Sequence, residues 1–337
     1  MSTMASNKVA FLDKAGNPFR IAEAPIPSPG PNEIVVKNHA IALNPLDHIQ
    51  YTKGIMVKSY PAVLGSDVAG DVYAIGSDVT RFKKGDRVVG HAWGLLTGKP
   101  TDGAFALYTN LPAENCASIP EGIPYKNAAV LPLAIDTACS GLFEPDGLNL
   151  KWPHENTEPT GKTVIVYGAS SSVGSMAVQL ATLAGYQVLG IASQKNAEFV
   201  KLAGADKFFD YNDNRIVENI VKALDPTSLI GVFDAIGMDD SHDILVDVLK
   251  QVGYTGMYVT TKQSPHDLPR VIGSKRMFGI GEFSFPLWRN FVSTELQSGR
   301  LKCLPKPEVI GQGLDKIQAG LDQLGKGVSA KKLVVEL

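Results

Sequence analysis

The chain has 337 residues, of which 44% are hydrophobic and 20% charged; at about 150 residues per domain this predicts two soluble globular domains rather than a disordered chain. Thirty-two basic side chains nearly balance 34 acidic ones, and a net charge of −2 offers no positive field for nucleic acid or anionic lipid. Three cysteines without a C-x-x-C pair argue against a disulfide framework and a four-cysteine zinc site, and no apolar run reaches the ~18 residues of a membrane span.

The N-terminus MSTMASNKVAFL carries no secretory pattern and the C-terminus KKLVVEL no lipidation address, so the expectation is a cytoplasmic protein in a reducing compartment. The first 120 residues read as β-rich, with short strands over 33–43, 68–75 and 87–90 punctuated by Gly, Pro and Asp. Such spacing predicts a small barrel or sandwich. An apolar, Ala-rich stretch from Ala128 to Leu142 predicts a helix around Pro132, and KWPHENTEPT over 151–160 a surface loop. From there strand and helix signals alternate. Strands are expected at 163–167, 187–192, 207–209, 231–236 and 256–260, and helices at 173–184, 196–202, 215–224 and 241–248. Repeated βα units mean a parallel sheet with helices on both faces. A last helix over 313–324 precedes a strand over 331–337, which is expected to return to the N-terminal domain.

The sharpest motif is Tyr167-Gly-Ala-Ser-Ser-Ser-Val-Gly174, between an expected strand and an expected helix. In such a turn Gly168 permits the bend, Gly174 permits close helix–strand packing, and Ser170, Ser171, Ser172 and Val173 bring backbone N–H groups to a pyrophosphate at the helix N-terminus. The pattern departs from a strict G-x-G-x-x-G, but the strand before it and the helix after it supply the context the motif needs. At the end of the next strand an NAD site places an Asp or Glu on the ribose 2′-hydroxyl. This chain has Ser193-Gln194-Lys195-Asn196 there. Ser193, Lys195 and Asn196 suit a 2′-phosphate, which favours NADPH; they read equally as a helix cap beside a solvated lysine. Tyr211 could flank the adenosine or simply pack. Val259 and Thr260 end a parallel strand, whose carboxyl end faces the ligand crevice.

The order of domains, the GASSSVG turn and the N-terminal segments Leu43-Asn-Pro-Leu-Asp47, Tyr60-Pro-Ala-Val-Leu-Gly-Ser-Asp-Val-Ala-Gly70, Phe82-Lys-Lys-Gly-Asp-Arg-Val88 and Gly103-Ala-Phe-Ala-Leu-Tyr108 carry a resemblance over essentially the whole chain. It resembles the medium-chain dehydrogenase/reductase superfamily, specifically its zinc-free quinone- and enoyl-reductase branch, and within it the fungal trans-acting enoyl reductases of polyketide biosynthesis. The resemblance implies an α/β fold: a Rossmann doubly wound parallel sheet over 131–284, plus a discontinuous β-rich GroES-like barrel domain over 1–130 completed by 285–337. A cleft between them is expected to hold nicotinamide and substrate.

Residue roles follow from the same resemblance. Asn44, Pro45, Leu46, Asp47 and His48 correspond to a loop beside the nicotinamide, although Asn44 and Asp47 are also ordinary turn residues. The family's lysine two positions after the Asp is Ile49 here. Zinc-dependent members carry a Cys in that loop and a Gly-His-Glu where this chain has Gly65-Ser66-Asp67, so no metal is expected. Ile135, Asp136, Thr137, Ala138, Cys139, Ser140, Gly141 and Leu142 resemble the stretch lining the substrate channel, with Thr137 nearest the nicotinamide carboxamide. Phe278, Gly279, Ile280, Gly281, Glu282 and Phe283 resemble its far wall, and Val328 and Ser329 a segment closing over the nicotinamide. Tyr51 is a candidate donor to the enolate oxygen, alongside backbone amides, the 2′-hydroxyl of the nicotinamide ribose and water. The implied activity is NADPH-dependent reduction of the C=C bond of an α,β-unsaturated carbonyl, on a small-molecule or carrier-bound enoyl substrate, with a polyketide synthase as a possible partner and a monomeric or homodimeric state. A small-molecule quinone or enone reductase and a non-catalytic NADPH-binding protein remain as alternatives.

Overall fold

The computed structural model describes residues 6–337. The chain divides into two compact units, one running through Leu133 and resumed at Phe285–Leu337, the other spanning Ala134–Ser284. No helix among the described residues is long and apolar enough to cross a membrane.

The second unit is built on six parallel strands in the spatial order Lys207–Asp210, Gln187–Ala192, Thr163–Tyr167, Leu229–Asp234, Met257–Thr260 and Gly273–Arg276. Counted within the unit this is the order 3-2-1-4-5-6 of a doubly wound Rossmann sheet. Val164, Ile165 and Val166 are wholly buried, as a strand covered on both faces requires. Between strands run the helices Ser172–Leu183, Ala197–Leu202, Ile216–Ala223 and Asp239–Gln251. The last of these shows how they dock: Leu245, Val248 and Leu249 stand three and four positions apart and are buried against the sheet with Val232 and Tyr258.

In the first unit the strand Glu33–Ala42 is the spine. It pairs antiparallel with Asp67–Ile75 along its length, with Tyr108–Pro112 over its first half and with Lys331–Glu336 at its end. The sheet continues through Arg87–His91 to Cys116–Ser118 on one side and through Lys331–Glu336 to Lys306–Gln312 on the other. Register shifts between Val35 and Val36 and between Asn38 and Ala40 bend the spine, as bulges do. A smaller sheet of Arg20–Ala24, Asn7–Leu12 and Ala62–Val63 lies beside it. The apolar core includes Leu12, Ile34, Ile41, Phe105 and Leu111, and the C-terminal strand contributes Leu333 and Val335 to it.

Three readings of the sequence change, and one edge strand carries no signal in it. The stretch 128–142 is not one helix: a short turn Tyr125–Ala128 ends, and a new helix, Pro132–Phe143, begins at the proline. Pro132 lacks an N–H, which the first position of a helix does not need. Residues 44–47 are not a loop but the start of the helix Pro45–Lys53. The helix expected at 313–324 is Lys316–Gly325, because Gly313, at φ +96°, instead closes the strand Lys306–Gln312. The strand Gly273–Arg276 is an edge strand with a polar sequence and carries no apolar periodicity to reveal it.

One buried ion pair ties this unit's ends together. Lys332, 3% exposed, lies 2.9 Å from the carboxylate of Asp67, which is 0% exposed. Removing one partner of such a pair leaves a buried charge uncompensated. Lys332→Ala is therefore expected to lower the unfolding free energy by about 3–5 kcal/mol in urea denaturation. A loss below about 1 kcal/mol would mean that the pair is no stronger than one in solvent.

Candidate functional site

The turn 167–174 forms where the central strand Thr163–Tyr167 meets its helix. Gly168 has φ +71°, and a Cβ there would come within 2.5 Å of Ile236. A Cβ on Gly174 would lie 2.1 Å from the carbonyl oxygen of Gly168. Ser171 caps the helix: its Oγ accepts from the Gly174 N–H at 2.9 Å, while its own N–H donates to the Gly168 carbonyl at 2.8 Å. Such a cap satisfies one of the free N–H groups of the first turn and leaves others for a ligand. The Ser172 hydroxyl is buried without a hydrogen-bond partner among the described residues. A cradle closed to any side chain, with free donors at a helix N-terminus, fits a pyrophosphate.

The next strand's end joins this turn. Asn196 is buried and donates from Nδ2 to Ser170 Oγ at 3.0 Å; Ser193 is half-buried and Lys195 exposed. Tyr211, 41% exposed, stacks on Tyr167 with centroids 6.2 Å apart. Ser170, Ser193, Lys195, Asn196 and Tyr211 thus gather at the carboxyl ends of three adjacent strands. Val259 and Thr260 sit at the end of a fourth, both fully buried.

Sequence reasoning missed Asp234. Its buried carboxylate accepts from the N–H groups of Ile236 and Gly237 at 2.9 Å each, from Ser241 Oγ at 2.9 Å and from Tyr258 Oη at 2.7 Å. It pins the turn that carries Ile236 against Gly168. Burial and this carboxylate push the Tyr258 phenol well above its ordinary range. The signal was present: an Asp ending a buried strand, three residues before a glycine that takes φ +59°.

In the same unit the two expected substrate segments meet. A Cβ on Gly279 would lie 2.2 Å from Thr137 Oγ1, and one on Gly141 would lie 2.4 Å from Met277 Sδ. Between the segments is a recess of about 190 Å³ lined by Asp136, Cys139, Ser140, Phe278, Ile280, Phe283 and their neighbours. Ile135, Ala138, Cys139 and Leu142 are wholly buried, Thr137 is 8% exposed, and Glu282 faces solvent. Burial pushes the Cys139 thiol far up, with Asp136 and Glu144 adding to it, so it is no nucleophile. Ser140 donates to Glu144, which Lys275 holds in an ion pair.

In the first unit Asn44 precedes the helix Pro45–Lys53, and Asp47 accepts from the Asn44 N–H at 2.8 Å. The Asn44 side chain donates to Asp67 at 2.8 Å and accepts from Lys332. Asp67 also accepts from the Leu133 N–H at 2.7 Å. Asn44 and Asp47 therefore face inward, while Pro45 is exposed and Leu46 half-buried. His48 Nδ1 lies 3.0 Å from the Leu321 carbonyl. The Tyr51 ring packs on the barrel core and stacks on Phe19 at 5.5 Å. Val328 is 39% exposed and precedes, with Ser329, the strand that carries Lys332. A second recess, of about 390 Å³, is lined by Gln50, Met56, Lys58, Ser66, Leu95 and others; none of the residues singled out from the sequence as site candidates borders it. Among the described residues no group of three or more His, Cys, Asp and Glu side chains could hold a metal ion.

Residues 30–121 match the alcohol dehydrogenase GroES-like domain and residues 172–284 the zinc-binding dehydrogenase domain. The chain belongs to the medium-chain dehydrogenase/reductase superfamily. It is 41% identical to the dehydrogenase orsE of Emericella nidulans, over 99% of this chain and 100% of that one. It is 35% identical to the trans-enoyl reductase himH of Aspergillus japonicus, covering 90% of each. Among solved structures, an alcohol dehydrogenase superfamily protein from Novosphingobium aromaticivorans superposes with a TM-score of 0.79 at 25% identity, over 98% of this chain and 99% of that one. Membership makes the protein an oxidoreductase with a nicotinamide cofactor, and the turn at 168–174 fits that cofactor's pyrophosphate. The metal in the second domain's name is not matched by the donors here: Asn44–Asp47 and Gly65–Asp67 supply neither thiolate nor imidazole.

The buried network makes one stability prediction. Burial, reinforced by Asp67, pushes the Asp47 carboxyl up to about 7, against the opposing Asn44 N–H and Lys332. The folded chain then holds this proton more tightly than the unfolded chain, so the carboxyl's contribution is full at low pH and is lost as pH rises through about 7. Asp47→Asn keeps an acceptor for the Asn44 N–H and removes that loss. Its stability relative to the unmutated protein is expected to rise by on the order of 2 kcal/mol between pH ~5 and ~8. A difference that stays flat across that range would mean the carboxyl ionises as freely folded as unfolded.

Proposed function

We propose that this oxidoreductase is a zinc-independent, NADPH-dependent enoyl reductase, which reduces the C=C bond of an α,β-unsaturated carbonyl on a free or carrier-bound acyl chain, with a polyketide synthase as the partner that presents it. The observation that carries the reading is the donor set at 44–47 and 65–67. Alcohol–carbonyl chemistry in zinc members relies on a Lewis acid to polarise the oxygen. Here the carboxylate of Asp67 is consumed by Asn44, Lys332 and the Leu133 N–H, and Ser66 is a poor ligand. Conjugate reduction asks less: the charge that develops on the carbonyl oxygen needs only hydrogen-bond donors. The name of the relative himH, a trans-enoyl reductase, supports the same choice.

When bound, reduced nicotinamide supplies the hydride for the β-carbon. This chain's residues supply the rest. The N–H groups of Ser170, Ser172 and Val173 and the Ser172 hydroxyl hold the pyrophosphate, while Ser171 and Gly174 shape the turn. Ser193, Lys195 and Asn196 hold the 2′-phosphate, and Tyr211 flanks the adenine. In the Rossmann unit Val259 and Thr260 stand at a strand end of the kind that faces the nicotinamide; within the other unit Asn44 and Asp47 position the segment Pro45–His48 from inside, and Val328 and Ser329 precede its last strand. Thr137 meets the carboxamide. The recess between 135–142 and 278–283 takes the acyl chain along Phe278, Ile280 and Phe283. The Tyr51 ring is packed into the core, so it is a weaker donor candidate than backbone amides or water for the enolate oxygen.

A panel of enoyl thioesters and small quinones, followed at the NADPH absorbance, tests the activity. Turnover of the thioesters is expected to exceed that of the quinones. Quinone turnover alone would make the protein a detoxifying reductase, and tight NADPH binding without turnover a binding protein. Cofactor choice has its own test. Lys195→Ala is expected to weaken NADPH about ten- to a hundred-fold, the loss of a charge-assisted hydrogen bond, and to leave NADH almost unchanged. Equal affinity of the unmutated protein for both cofactors would contradict the assignment.

A further inference from the structure

The loop 151–160 is polar except for one large aromatic, Trp152. A tryptophan in such a loop is half-buried here because its ring is held between two others. Phe143, 2% exposed, stacks on one face at 5.0 Å between centroids and 20° between planes. Phe283 meets it at 5.2 Å and 38°. Phe143 is the last residue of the helix Pro132–Phe143, and Phe283 lies on the wall of the recess. Trp152 therefore bridges the rigid side of the recess to its opposite wall.

The two ends of this bridge are not equally anchored. On the helix side the Leu148 N–H donates to the Gly141 carbonyl at 2.9 Å and the Leu150 N–H to the Leu142 carbonyl at 2.8 Å. The Lys151 N–H donates to Tyr186 Oη at 3.1 Å, and Pro153 is buried. The far end of the loop is tied by the Thr160 N–H to the Gly185 carbonyl at 2.8 Å. Phe283 instead sits in the first turn, Glu282–Ser284, of a helical run that continues to Ser298, and directly after Gly279 and Gly281. Gly281, with nothing packed on it, leaves the backbone just before Phe283 broad freedom, so the ring's place depends on what it stacks against.

We propose that Trp152 is a positioning residue for substrate selection: by fixing Phe283 it sets the depth of the recess and so the acyl chain length the protein accepts. This rests on the enoyl-reductase reading for the identity of the substrate. Trp152 is outside the segments the sequence pointed to, and it acts through Phe283 rather than by touching the reacting atoms.

The test compares the unmutated protein with Trp152→Ala, Trp152→Phe and Phe283→Ala in two readouts. One is calorimetric affinity for saturated butyryl and decanoyl thioesters, which needs no turnover. The other is kcat/KM for the crotonyl and decenoyl thioesters with NADPH. Trp152→Ala is expected to shift the long-to-short ratio toward the long chain by roughly tenfold in both readouts, the scale of a pocket change of about a methylene or two. Phe283→Ala should shift it the same way, Trp152→Phe should restore the original ratio within about twofold, and NADPH affinity should stay unchanged in all three. The inference is overturned if Trp152→Ala leaves the ratio unchanged, weakens both chains equally, or is matched by Trp152→Phe, and also if the unmutated protein binds neither thioester. Thioester binding without any turnover by the unmutated protein would overturn the enoyl-reductase reading alone, and the affinity ratios would still decide the role of Trp152.

Discussion

The contact between Gly174 and the Gly168 carbonyl oxygen leaves no room for a side chain, and the geometry of the nucleotide end of the site follows from it. Because the helix Ser172–Leu183 can approach the strand Thr163–Tyr167 so closely, its free N–H groups open at the carboxyl edge of the sheet. That edge is the switch point of the strand order, where ligands of doubly wound sheets bind. The serines of the turn then divide the work. Ser171 caps the helix, Ser170 receives Asn196 from the next strand's end, and Ser172 keeps a hydroxyl without a partner among the described residues.

Buried polar groups organise the rest of both units. In the Rossmann unit Asp234 accepts four hydrogen bonds, two from the turn at Ile236 and Gly237, one from the next helix and one from the neighbouring strand, and thereby holds Ile236 over Gly168. In the barrel unit Asn44, Asp67 and Lys332 join the spine strand, its neighbour and the C-terminal strand. The polar atoms of Asn44 and Asp67 are spent within that network, and the proposed reduction of an activated C=C bond asks for no metal ligand from them.

The Rossmann sheet and its phosphate turn were legible because they are written in continuous apolar runs and in a glycine spacing with a steric cause. The strands at 163–167 and 187–192 stand where their β-branched runs put them. Capping hid other elements. Asn44, Pro45 and Asp47 are turn residues by type, and the same chemistry begins the helix Pro45–Lys53. Lys306–Gln312 and Gly273–Arg276 were illegible because edge strands bury little and show no alternation. Of the candidate site, the gathering of the turn with residues 193–196 could be read from residue chemistry. Asp234 left a local signal that was passed over, whereas the Asp67–Lys332 pair and Trp152 could not be read, since they owe their roles to Lys332 and Phe283, far away in the chain.

The central claim is that the bond reduced is the C=C and not the C=O. Incubating an enoyl thioester with NADPH deuterated at C4, and locating the label by NMR, tests it most directly. The account predicts a saturated thioester with deuterium on the β-carbon. Deuterium on the carbonyl carbon of an alcohol product, with the double bond intact, would contradict it.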